Sequence, residues 1–154
     1  MNLVQIISGC MILGALHMSS HTACAALGGG IDSIAADRTA LKGVHRATTS
    51  HGGYSVEEVK SDTVMVREYV SSSGVVFGVA WDGYVHPDLS QLLGGYWAEY
   101  SGARGKAQRK FGRSRQRITT SAVVVESWGH MRSLRGRAYV PGLIPAGVSV
   151  DDIR

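Results

Sequence analysis

The stretch Thr63–Trp81, TVMVREYVSSSGVVFGVAW, decides the fold of this chain. Two runs rich in β-branched and aromatic residues flank a Ser-Ser-Ser-Gly connector, and Gly74 can adopt the positive φ that a tight turn needs. The stretch therefore predicts a β-hairpin. Side chains of the second run alternate between two faces, and the small residues Gly78 and Ala80 share one of them. The larger residues on the opposite face are Val75, Phe77, Val79 and Trp81.

Two charged residues interrupt the first run of this hairpin. Arg67 and Glu68 are adjacent in sequence, so on a strand their side chains point to opposite faces and cannot pair with each other. Each must find its own partner. Those partners would identify either a structural ion pair or a functional site.

The segments around the hairpin predict an α+β fold. Further strands are expected over Tyr54–Lys60, Ile118–Ser127 and Met131–Val140. A main helix over Leu89–Tyr100 carries an apolar stripe and would pack across the hairpin, against Gly78 and Ala80. A short N-terminal helix over Ile34–Lys42 would lie at an edge. We expect an antiparallel sheet of about five strands, with a small open barrel as the alternative.

The first 25 residues have the order of a secretory signal peptide and contain no Asp, Glu, Lys or Arg. A mostly apolar run from Ile6 to Leu16 is followed by polar residues and then by Ala23-Cys24-Ala25. Cleavage after Ala25 would leave one mature domain, residues 26–154. The apolar run is shorter than the roughly 20 residues of a membrane-spanning helix. We therefore expect a periplasmic or secreted protein with no transmembrane segment after cleavage.

Both cysteines of the chain, Cys10 and Cys24, lie inside this predicted signal peptide. The mature domain would then have neither a disulfide nor a thiolate metal site. The sequence contains no zinc motif and no phosphate-binding glycine loop. It predicts no metal site and no cofactor.

Residues 102–117 are predicted to form a basic loop, because they contain seven cations, three glycines and no acidic residue. Such a local positive field attracts anions. For an exported protein the expected partners are anionic lipid or polysaccharide, and nucleic acid is not expected. The competing interpretation is a solvated loop that only keeps the protein soluble. The candidate polyanion-binding residues are Arg104, Lys106, Arg109, Lys110, Arg113, Arg115 and Arg117.

Four other residues could build a small enzyme site: His86, Asp88, Glu126 and His130. His86 and Asp88 lie in a loop that leads into the main helix, where Asp88 is a predicted N-cap. Glu126 and His130 are four residues apart at a predicted strand end. A catalytic role requires these side chains to converge in one cleft, since proton transfer needs hydrogen-bond reach or one bridging water. The sequence identifies no catalytic residue beyond this possibility.

Several segments, taken together, resemble the small exported bacterial proteins grouped as domain of unknown function 2844. The segments are Ala26-Leu-Gly-Gly29, Arg67-Glu-Tyr-Val70, Gly74-Val-Val-Phe77 with Val79-Ala-Trp81, Pro87-Asp-Leu89 with Leu92-Leu-Gly94, Glu126-Ser127 with Gly129-His-Met-Arg132, and Pro145-Ala-Gly-Val148 with Asp152-Ile153. The resemblance covers nearly the whole predicted mature chain. It implies export and a single domain, and it implies no catalytic residues.

We accordingly expect an exported, non-enzymatic protein that binds or scaffolds anionic envelope components. The alternative is a small periplasmic enzyme built on the four residues named above. Neither a protein partner nor an oligomeric state is indicated by the sequence.

Overall fold

The computed structural model describes residues 27–107 and 114–154. The predicted signal peptide and residues 108–113 of the basic tract lie outside them. The fold is α+β, with one antiparallel sheet in the order β1-β2-β3-β4-β7-β6-β5. The strands are β1 (Val44–His51), β2 (Tyr54–Lys60), β3 (Val64–Ser71), β4 (Val76–Gly83), β5 (Arg115–Thr119), β6 (Val124–His130) and β7 (Ser133–Tyr139). The α-helices are α1 (Ile34–Ala40), α2 (Leu89–Leu93) and α3 (Trp97–Lys106).

The sheet has seven strands, so the prediction of about five is wrong. Edge strand β1 was missed because seven of its eight residues are exposed, which leaves no apolar alternation to detect. The single strand predicted over Ile118–Ser127 is in fact two. A turn closed by the hydrogen bond from the Thr120 N–H to the Val123 carbonyl separates β5 from β6.

The predicted central hairpin is present as β3 and β4, but a bulge changes its facing. Tyr69 lies opposite Gly78 while Val70 lies opposite Val76, so Phe77 is an additional residue in β4. Such an insertion reverses the alternation on one side of the bulge. Phe77 therefore packs in a different cluster from Val79 and Trp81, and the predicted common face for the large residues is wrong at this position.

The helices cover one face of the sheet. The main helical segment runs to Lys106, six residues beyond the predicted end, and a 3₁₀ turn at Gly94–Tyr96 separates α2 from α3. Gly94 has a φ of 48°, which explains why the helix is interrupted there. The principal core lies beneath these helices, where Leu92 and Leu93 are wholly buried against the sheet.

The C-terminal segment, residues 143–154, covers part of the opposite face. Ile153 is wholly buried in a second cluster with Phe77 and Ala80. A Cβ added at Gly78 would lie 2.8 Å from Ile153 Cδ1. The small residues of β4 thus make room for the C-terminal segment, and the prediction that they make room for the main helix is wrong.

Candidate functional site: an arginine-lined cleft

A cleft lies on the sheet face that the C-terminal segment only partly covers. It consists of two adjoining hollows, of about 500 Å³ and about 210 Å³, which share Trp128 and Arg154 as lining residues. Five arginines line the two hollows: Arg67, Arg115, Arg135, Arg137 and Arg154.

The strand register brings these arginines to one face. Residues directly opposite on neighbouring strands have side chains on the same side of the sheet. Ala80 on β4 lies opposite both Arg67 on β3 and Arg137 on β7. Arg135 on β7 lies opposite Trp128 on β6, and Trp128 in turn lies opposite Arg115 on β5. The cleft therefore runs across five neighbouring strands, from β3 to β5.

Acidic side chains orient three of the cleft arginines. The ion pairs join Arg67 Nε to Glu58 Oε1 at 2.9 Å, Arg135 Nε to Asp82 Oδ2 at 2.7 Å, and Arg137 Nε to Glu126 Oε2 at 2.6 Å. Partly exposed pairs such as these contribute little stability. Their effect here is to fix the positions of the guanidinium groups.

Arg115 and Arg154 differ from the other three, because neither side chain has an ion pair within the described part of the chain. The Arg115 guanidinium carbon lies 5.7 Å from the centroid of the Trp128 ring, in cation–π geometry. The backbone of Arg154 is held by Tyr69, whose hydroxyl accepts from its N–H at 3.0 Å and donates to its carbonyl at 2.8 Å. Arg115 and Arg154 are thus two exposed arginines of the smaller hollow whose side chains have no acidic partner among the described residues.

The structure divides the predicted basic loop among different elements. Arg115 lines the cleft and Arg117 lies beside it, 3.2 Å from Glu126. Arg104 and Lys106 are in the last turn of α3, in the helical layer on the other face of the sheet. The prediction of a continuous loop over residues 102–117 is therefore wrong at both ends, where helix and strand are found.

Three residues of the predicted tract, Arg109, Lys110 and Arg113, lie outside the described residues. Four of the five cleft arginines, Arg67, Arg135, Arg137 and Arg154, were not among the predicted binding residues. They come from β3, β7 and the C-terminal residue, and only the strand register and the docking of the C-terminus could have connected them.

The four residues of the enzyme alternative have separate contacts. Asp88 Oδ1 accepts hydrogen bonds from the backbone N–H of Ser90 at 2.9 Å and from its hydroxyl at 2.5 Å, which caps α2 as predicted. These bonds lower the pKa of Asp88. Glu126 instead accepts from Arg137 on the cleft face. His86 and His130 are both exposed. These contacts join none of the four to another.

A buried carboxyl pair lies on the opposite side of the sheet, beneath α1. The pKa of Glu68 is raised to about 9, chiefly by burial and next by the negative charge of the nearby Asp37 carboxylate. Burial also raises the pKa of Asp37 to about 6, although a 3.0 Å hydrogen bond from Gln91 opposes this. Arg67 and Glu68 thus point to opposite faces and have different partners, as predicted. Glu68 is buried in the core, and Arg67 lines the cleft.

Within residues 27–107 and 114–154, no helix combines the length and the apolar character needed to span a bilayer. The same residues contain no group of three or more His, Cys, Asp or Glu side chains placed to hold a metal ion.

Comparison with known proteins yields a family. The search of curated proteins finds no significant match. Among solved structures, a cysteine-rich secretory protein from Staphylococcus aureus subsp. aureus Mu50 aligns with a TM-score of 0.44 and 10% identity. The alignment covers 76% of this chain and 45% of that protein, so the chain spans less than half of its length. A family model described as "Protein of unknown function (DUF2844)" matches residues 23–153, and the chain therefore belongs to the DUF2844 family.

Proposed function

We propose that this protein is exported and non-enzymatic, and that it binds an anionic component of the cell envelope through the arginine-lined cleft. The order of the first 25 residues supports export. The observation that carries the binding proposal is that Arg115, against the Trp128 ring, and Arg154, in the same hollow, have no acidic side chain paired with them among the described residues.

The chemistry of these groups indicates the kind of ligand. A guanidinium presents a planar fork of N–H donors that matches the oxygens of a phosphate or a carboxylate. Among the described residues, six arginines and four side-chain carboxylates meet at or beside the cleft, which leaves an excess of positive side-chain charge. The arginines at or beside the cleft are Arg67, Arg115, Arg117, Arg135, Arg137 and Arg154. The acids are Glu58, Asp82, Glu126 and Asp151.

The position of Trp128 adds a second recognition element. Its ring already stacks against the Arg115 guanidinium and forms part of both hollows. An indole face favours flat or weakly polar surfaces, such as the C–H face of a sugar ring or a lipid glycerol. The cleft therefore suits a phosphorylated or carboxylated unit attached to such a group.

Binding to two anionic probes tests the proposal. The probes are phosphatidylglycerol vesicles and soluble polygalacturonate, measured at rising salt. We expect the double variant Arg115→Ser/Arg154→Ser to bind at least about tenfold more weakly, because each charge-assisted hydrogen bond contributes about 1.5–3 kcal/mol. Binding by the wild type should weaken as salt screens the charges.

The matched control is Arg104→Ser/Lys106→Ser, which removes the same charge from α3 in the other layer. It should bind nearly as the wild type does. If the control loses binding and the cleft variant does not, the cleft is not the site. If the wild type binds neither probe, the proposed function is wrong.

A further inference from the structure

Exposed apolar side chains are concentrated at one end of the sheet. Of the five large apolar residues that are exposed in the described part of the chain, three lie there in the two loops that follow β4 and β6, while a fourth, Val44, starts the edge strand β1 three strands away from β4. They are Tyr84 at 65% exposure, Val85 at 47% and Met131 at 90%. We call these three residues the tip.

The strand register places the two loops of the tip at the same end of the sheet, two strands apart. Gly83 on β4 lies opposite Leu134 on β7, and Leu134 lies opposite Gly129 on β6. Tyr84 and Val85 directly follow Gly83, and Met131 is in the turn just beyond Gly129. Because neighbouring strands are about 4.8 Å apart, the two loops extend from the same end of three adjacent strands.

Backbone geometry holds both loops in place. The Tyr84 N–H donates to the Thr63 carbonyl at 2.9 Å, which ties the start of its loop to β3. In the β6–β7 turn, Gly129 has a φ of 118°, and a Cβ there would lie 2.0 Å from the Ser133 carbonyl oxygen. This tight turn carries Met131 at its end, and that explains why so large an apolar side chain is exposed.

The tip adjoins the arginine-lined cleft. The row of opposed residues next to Gly83 and Leu134 contains Asp82, Arg135 and Trp128, all of which line the larger hollow. Consecutive residues of a strand are about 3.4 Å apart along its axis, and one residue of β4 and two of β6 separate the edge of the cleft from the tip loops. Arg132, exposed beside Met131, adds a further cation at this end.

We propose that the tip inserts into the head-group region of an anionic lipid bilayer, while the adjoining cleft holds a lipid phosphate. This inference rests on the proposed function and specifies its ligand. Tyrosine, with an apolar ring and a polar hydroxyl, suits the membrane interface. Flanking arginines gain further attraction from anionic head groups.

The size of the tip also favours a bilayer over a protein partner. A stable protein interface involves roughly 20–30 residues on each side. Three apolar side chains supply far less than that. They are sufficient to add apolar burial to an attraction that the arginines already provide.

The experiment compares the full chain and its variants on three probes. These are phosphatidylglycerol/phosphatidylcholine vesicles, pure phosphatidylcholine vesicles and soluble polygalacturonate. We expect the tip variant Tyr84→Ser/Val85→Ser/Met131→Ser to bind anionic vesicles about tenfold more weakly, while its binding to the soluble polymer is unchanged. The cleft variant Arg115→Ser/Arg154→Ser should lose binding to both anionic probes.

The matched control is Ile31→Ser/Val44→Ser, which replaces the two exposed apolar residues that lie outside the tip. It should bind vesicles as the wild type does. If the tip variant also binds them as the wild type does, or if the wild type binds only the soluble polymer, membrane insertion is wrong and the proposed function stands. If the wild type binds neither anionic probe, both proposals fail.

Discussion

Replacing Glu68 with Gln removes one member of the buried carboxyl pair, and its effect should depend strongly on pH. Glu68 is wholly buried, and its pKa is raised from the usual 4.5 to about 9 by burial first and by the Asp37 carboxylate second. A group whose pKa is raised on folding binds its proton more tightly in the folded state. Its contribution to stability is therefore fully present below pH 4.5 and is lost as the pH rises towards 9.

The size of the effect follows from this pKa difference. Between the two pKa values stability falls by about 1.4 kcal/mol per pH unit. The wild type should therefore lose about 3 kcal/mol between pH 4.5 and pH 7 through this group. Gln has no proton to lose, so it places no buried charge at this position at any of these pH values. We expect Glu68→Gln to unfold with a free energy about 3 kcal/mol higher than the wild type at pH 7, and with little difference near pH 4.5.

Urea unfolding followed by tryptophan fluorescence at pH 5, 6, 7 and 8 measures this difference. Glu58→Gln is the control, because Glu58 forms a partly exposed ion pair with Arg67. Its loss should cost no more than about 1 kcal/mol. If the free energies of unfolding of Glu68→Gln and the wild type differ by the same amount at every pH from 5 to 8, the assignment of the buried proton to Glu68 is refuted.

Two further predictions concern packing on the two faces of the sheet, and both can be checked by thermal or urea unfolding. Gly136→Ala places a Cβ 2.1 Å from Trp81 Cζ2, so it should destabilise the fold by about 1–3 kcal/mol or more. Gly142→Ala, whose Cβ would have no atom of the described residues within 4 Å, should change stability little. An equal cost at both glycines would contradict this account. Ile153→Ala should cost about 2–5 kcal/mol by leaving a cavity against Phe77, and a loss below about 1 kcal/mol would mean that the C-terminal segment is not firmly docked.

The central hairpin could be predicted from sequence because its residues are both β-branched and buried, so that propensity and periodicity agree. Strands β1 and β5 could not, since Thr, Ser, His and Arg dominate them and edge strands have little to bury. The facing of Phe77 also escaped prediction. A bulge is decided by how the chain pairs with its partner strand, and the local pattern of β4 does not record it.

The candidate site was even less accessible to sequence reasoning. The cation count in residues 102–117 pointed to Arg115, which does line the cleft. It pointed equally to Arg104, which lies in the other layer. Charge density along the chain cannot distinguish these two, because the face on which a side chain lies depends on strand register. Arg154 was missed because its place in the cleft depends on the docking of the C-terminal segment.

The strand order has a consequence for the timing of folding. Strands β1 to β4 form one meander and β5 to β7 another, and each is built from neighbours in sequence. The pairing of β4 with β7 joins them, as where Gly78 lies opposite Tyr139, and it closes a loop of about 60 residues. Contacts between such distant residues form slowly. We therefore expect the two locally assembled halves to pair in the rate-limiting step of folding. The contact of Trp81 with Gly136 lies at this junction, so we expect it to influence the folding rate.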